Sequence, residues 1–193
     1  MLALLYAEAF VLMGVFVAVY NYAGFRLTAA PYRLGQGAVG AVFLLYVLGS
    51  ASSAWFGSLA GRLGAARVFP APIVLLIAGL GLTIARPLGL VVAGIGVVTI
   101  GFFGAHAIAS AWVGERAPDA RGRASALYLF AYYAGSSVLG AAGGIAWTRA
   151  GWSGVAGIAL TLGLAALAGT GALARLAPGR TGPSIPGPAP VEF

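Results

Sequence analysis

From Leu2 to Arg175 the sequence is a succession of long apolar runs, each closed by a short break that carries arginine, glycine or proline. Crossing about 30 Å of hydrocarbon takes roughly 20 residues of α-helix. Six segments near that length can be placed, at 2–24, 38–60, 69–85, 88–113, 124–147 and 152–175. Pro70 and Pro72 fall at the start of the third, where a missing backbone N–H is tolerated, and Arg86-Pro87 ends it before a tight turn into the fourth. Soluble domains carry about a quarter charged residues. This chain has 8% charged and 61% hydrophobic residues, so the expected fold is an all-α membrane protein of six transmembrane helices, embedded in a lipid bilayer.

The net charge of +7 comes from eleven arginines and no lysine, placed singly between apolar runs, so nucleic acid is not an expected partner. The basic excess reports topology. One set of breaks carries Arg62, Arg67, Arg116, Arg121, Arg123, Arg175 and Arg180; the other carries Arg26, Arg33, Arg86 and Arg149. The richer side is expected to be cytoplasmic, which puts both termini there. Without cysteine there are no disulfides, thiolate metal sites or cysteine nucleophiles, and no cofactor or metal is expected. The N-terminus lacks a basic n-region and a small-residue cleavage site, so the first run is expected to stay. Over 177–193, five prolines among glycine and serine read as a disordered cytoplasmic tail.

Between the second and third spans, Gly57 to Arg67 reads GSLAGRLGAAR. Gly57, Gly61 and Gly64 permit a sharp turn and a close approach of helices, while Arg62 and Arg67 stay out of hydrocarbon. Between the fourth and fifth spans, Glu115 to Ser125 reads ERAPDARGRAS. These two loops resemble those of the major facilitator superfamily. The first is similar to G-x-L-A-D-R-x-G-R-R at Gly57, Leu59, Ala60, Arg62 and Gly64, with Gly61 in place of the aspartate and Ala65 and Ala66 where arginine is common. The second is similar to E-x-x-P-x-x-x-R-G at Glu115, Pro118 and Gly122, with Arg121 or Arg123 one position out of register.

The resemblance covers about residues 3–176 and is to the C-terminal six-helix half of such a transporter, nearest the bacterial drug- and sugar-efflux branch of proton antiporters. It implies secondary transport of a small solute with protons, a bacterial inner-membrane location and a second six-helix half as partner. That partner is a missing N-terminal half, a separate chain or a second copy. It also implies that the first, second, fourth and fifth helices line the cavity while the third and sixth face lipid. The competing expectation is a membrane scaffold that transports nothing.

At an offset of 86 residues, Tyr46, Gly49, Ser50, Gly57 and Ala60 fall on Tyr132, Gly135, Ser136, Gly143 and Ala146. The two helices would run in opposite directions, as in the inverted 3+3 repeat of a facilitator half. Chance alignment in a chain with 31 glycines accounts for the same matches.

Glu8 is the one carboxylate inside an expected span, which makes it a candidate for proton coupling; the alternative places it near the headgroups. His106, the single histidine, suits proton coupling or ligand binding, or else a structural hydrogen bond to a neighbouring helix. Tyr20, Asn21, Tyr22, Tyr46, Ser50, Tyr132, Tyr133, Ser136 and Ser137 combine apolar bodies with polar tips and suit a wet cavity; for Tyr20 and Tyr22 the alternative is an interfacial aromatic belt, which is the expectation for Tyr22. The run Gly135 to Gly144 is a close-packing stripe, on a helix that in the family packs across the interface between halves. An enzyme is not expected. The string GWSG at 151–154 and a lone histidine suggest an intramembrane serine protease, but Ser153 sits at a helix end and His106 is roughly 27 Å along its own helix from that face.

Overall fold

The computed structural model describes residues 1–177, and every regular element among them is helical. In hydrocarbon a backbone N–H or C=O finds no water, so a spanning chain closes its hydrogen bonds within each helix. Five stretches are long and apolar enough to cross a membrane. They are α1 (Leu2–Thr28), α2 (Gln36–Leu63), α3 (Ala65–Thr83), α4 (Leu88–Arg116) and α5 (Arg121–Leu176, continuing a short turn at Pro118–Ala120). The tail expected beyond Ala177, with Arg180, lies outside the described residues.

The boundaries depart from those expected in informative ways. α1 continues past residue 24 to Thr28, which brings Arg26 onto its last turn. The glycine-rich segment 57–67 is not an extended turn: α2 runs through Gly57 and Gly61 to Leu63, and α3 begins at Ala65. The change of direction falls on Gly64 alone, at φ 93°, ψ 135°, a region open in practice only to glycine. Nor do both earlier glycines seat a neighbour, since a Cβ at Gly57 would meet open space.

α5 is two helices joined without an intervening loop: Ala150 (φ −143°, ψ 17°) and Gly151 (φ 57°, ψ −143°) are not helical. The chain folds back there. Residues eight apart in a straight helix stand about 12 Å apart, whereas a Cβ on Gly154 would lie 3.1 Å from the carbonyl carbon of Ala146. The first limb is residues 121–149 and the second is 152–176.

Printed side-chain contacts give the helix directions. Gly135 packs on the Phe10 backbone and Gly143 on Ala18 and Tyr22, so α1 and the first limb of α5 run parallel. Ser52 and Ser53 of α2 donate to the carbonyls of Ile100 and Phe103 at 2.6 and 3.2 Å, so α2 and α4 run parallel. Gly79 meets Val98 while Gly101 meets Leu76, so α3 and α4 are antiparallel. Tyr20 meets Thr99 and Phe16 meets Phe102, so α1 and α4 are antiparallel too. The core between them is apolar and close-packed, with Leu5, Leu12, Val19, Leu76, Ile95 and Phe102 almost wholly removed from the surface.

Candidate functional site

Where α1, α2, α4 and the first limb of α5 converge, their aromatic side chains form one continuous wall. Phe16 and Phe102 stack at 4.1 Å with planes 14° apart, and the other rings are arranged around this pair. Tyr20 meets Tyr46 edge-on at 5.1 Å, and Tyr46 meets Phe103 at 5.6 Å. His106 stacks on Phe102 at 5.9 Å and contacts Tyr132 at 5.0 Å. Offset and edge-to-face ring pairs each add about 0.5–1.5 kcal/mol beyond burial, so the wall is a rigid surface.

Two of its polar groups are held by the protein. Tyr20 shares a hydrogen bond of 2.7 Å with Thr99, and Tyr128 bonds Nδ1 of His106 at 3.0 Å. His106 therefore does have a neighbouring-helix partner, and its ring also faces Tyr132 on the wall. Toward α2 and α5 the wall is uncovered: Tyr46 is 37% exposed and Tyr133 62%. Tyr20, Tyr46, His106 and Tyr132 are thus brought together. Ser50 is exposed and back-bonds the Tyr46 carbonyl at 3.4 Å; Asn21 is exposed, with its amide nitrogen near Gly140 of α5, and Ser136 is half-buried on α5.

Glu8 stands apart from this wall. It is 5% exposed, and its carboxyl lies at the seam between α1 and the second limb of α5, against Gly169. Its Oε2 is buried without a hydrogen-bond partner among the described residues.

The glycine stripe of α5 faces inward. Gly135, Gly140, Gly143 and Gly144 seat Phe10, Val17 and Tyr22 of α1, so it does not form a surface awaiting a second bundle. The exposed face of that limb carries Leu127, Phe130, Tyr133 and Val138 instead.

The arginine-bearing breaks gather at two ends. At one, Gly57, Gly64, Arg67, Glu115 and Arg116 line a cavity of about 720 Å³; Arg62, Arg121 and Arg123 are exposed near the same helix ends. At the other, Arg26, Tyr32, Arg86, Trp147 and Trp152 surround a cavity of about 470 Å³. There Arg26 donates to the carbonyls of Thr83 and Ala85 and lies 4.9 Å from the centre of the Trp152 ring.

Sequence reasoning missed Phe16, Phe102, Thr99, Tyr128 and Gly169. The 86-residue offset was a usable signal for the first two, since it also carries Phe16 onto Phe102. Nothing in the sequence marks the other three.

The chain is 40% identical over 171 residues to the uncharacterized MFS-type transporter YybF of Bacillus subtilis (strain 168), a match that takes in 89% of this chain and 42% of the relative. The chain belongs to the major facilitator superfamily. It is also 45% identical over 175 residues to the inner membrane transport protein YnfM of Escherichia coli (strain K12), across 88% of this chain and 41% of that one. An uncharacterized transporter of Buchnera aphidicola subsp. Schizaphis graminum (strain Sg) matches at 35% over 154 residues, covering 80% and 37%. The chain thus spans about two fifths of the length of the curated facilitators it matches. No family model matches it, and no solved structure matches it significantly.

Proposed function

We propose that this chain supplies one six-span half of a major facilitator, corresponding to the C-terminal half, and takes part in proton-coupled efflux of a small solute. The observation that carries the reading is the convergence of Tyr20, Tyr46, His106 and Tyr132 from four helices on one uncovered aromatic face. Such a face is one wall of a midplane cavity, and a second six-helix bundle rocking against it would close the other side. That bundle is a preceding half, a separate chain or a second copy.

The contact pattern supports six crossings in alternating directions. The second limb of α5 runs antiparallel to α1, with Glu8 opposite Gly169 and Arg26 opposite Trp152, so the fold-back at 150–151 divides α5 into a fifth and a sixth span. An inverted repeat is supported by Phe16 and Phe102, which are 86 residues apart and stack on each other, as residues beside a pseudo-two-fold axis do. The richer arginine end, around Arg67 and Arg116, is then cytoplasmic, with both termini on that side of a bacterial inner membrane. Glu8 and His106 are the proton-coupling groups, and Tyr46, Tyr132, Ser50, Ser136 and Asn21 face or flank the solute.

Membrane vesicles carrying the protein, with an imposed proton gradient and a panel of lipophilic amines and sugars, test this. Gradient-driven flux in the parent should fall by about tenfold or more in Glu8→Gln and His106→Ala, as expected when a proton-transfer group is lost. Unchanged flux in both variants would remove these groups from the mechanism. No flux of any compound, including with a second half co-expressed, would favour a scaffold.

A further inference from the structure

We infer that Glu8 takes up its proton at the seam between α1 and the second limb of α5, that Gly169 is the positioning residue that makes room for its carboxyl, and that release of the proton parts these two helices. The inference deepens the proton-coupled reading and rests on it for its purpose, although its test does not require transport.

The seam is tight at the Glu8 carboxyl. Oε1 of Glu8 occupies the space that a Cβ at position 169 would need, and the carboxyl carbon stands 3.4 Å from that point. Any side chain larger than hydrogen at 169 would displace the carboxyl from this position. The groups around it offer the carboxyl no countercharge. From the first limb, Tyr128 lies within electrostatic range, and its hydroxyl is engaged by His106 of α4. From the second limb come Gly169 and Thr170, whose hydroxyl is engaged by the Leu167 carbonyl at 2.7 Å; Arg175 lies six residues beyond Gly169, in the last turn. On α1 itself the N-terminus lies seven residues earlier. No ion pair or hydrogen bond to Glu8 occurs among the described residues.

Burying an unpaired ion in so apolar a setting is strongly unfavourable. The packed seam therefore fits the carboxylic acid, with the proton on the carboxyl group. The carboxylate that remains after the proton leaves must be hydrated, and water reaches Oε2 only if the second limb moves off α1. A corresponding seam lacks this sensitivity. Gly94 of α4 packs on Thr83 of α3, positions 86 residues from Glu8 and Gly169 respectively, and neither residue titrates. Of two seams related by the repeat offset, one responds to protons and the other stays shut.

Because the chain has no cysteine, one thiol can report on the seam. Ala166 is buried three residues before Gly169, on the same helix face. In the full chain in lipid nanodiscs, alkylation of Ala166→Cys by a small maleimide is followed against pH, alone and combined with Glu8→Gln. The ratio of the two rates cancels the thiol's own ionisation and should rise by about tenfold as Glu8 ionises. Glu8→Asp should keep a pH response, and Gly169→Ala should give fast alkylation at every pH. A flat ratio would overturn the inference even if flux persists. Gly169→Ala behaving as the parent would overturn the part given to the glycine. Lost flux with an intact pH response would refute the transport reading alone.

Discussion

The Arg26 guanidinium reaches from the last turn of α1 to the carbonyls of Thr83 and Ala85, to the Tyr32 hydroxyl at 3.3 Å and to the face of Trp152. The last carbonyls of a helix have no partner within it, and here a planar fork from another helix satisfies those at the end of α3. One side chain thereby ties together α1, the end of α3 and the start of the second limb. Arg26→Gln should lower the stability of the detergent-solubilised protein by about 2 kcal/mol, since hydrogen bonds from a charged donor are the strong ones. Arg26→Lys should recover only part of that, because an ammonium lacks the fork; equal thermal unfolding midpoints for parent and Gln variant would contradict this role. In the sequence Arg26 was legible only as a loop charge, because its carbonyl partners lie 57 and 59 residues away. Tyr128 was illegible for the same reason, as its partner belongs to another helix.

Helix packing here depends on close backbone approach. In lipid there is little hydrophobic drive between helices, so contact area and small residues decide which faces meet. A Cβ on Gly135 would stand 2.7 Å from the Phe10 Cα, so Gly135→Ala has to push α1 aside and should cost about 1–3 kcal/mol, the usual penalty of overpacking. A Cβ on Gly157, by contrast, would meet open space. Gly157→Ala should be neutral or stabilise by up to about 1 kcal/mol through helix propensity. Denaturation of the two variants side by side checks the contrast, and equal losses would mean that the stripe does not set the α1–α5 distance. The existence of the helices was readable because hydrocarbon demands closed hydrogen bonding over a fixed length. Their ends were not: Gly57 and Gly61 look like turn residues but lie inside α2, because only the left-handed position at 64 requires glycine and helix formation carries through the others.

At the scale of the molecule, arginine-bearing breaks collect at two ends, around Arg67 and Arg116 at one and around Arg26 and Arg86 at the other. Sorting of this kind is what insertion by positive charge produces. In the cysteine-free background, Arg62→Cys and Arg149→Cys should react with an impermeant thiol reagent from opposite sides of sealed vesicles. Reaction of both from one side would rule out the proposed topology. The tyrosine and histidine positions that converge on the wall were readable as polar tips on apolar runs, but Glu8 was not separable from them, because which face of α1 meets the second limb is decided by a glycine 161 residues away.

The reversal at Ala150 and Gly151 also bears on how the protein is made. Two residues are too few to wait in water while a neighbouring segment enters the membrane, so in the proposed six-span topology the limbs on either side enter lipid as a single hairpin with Arg149 at its tip. A ribosome stalled before the second limb has emerged would leave the first without its companion.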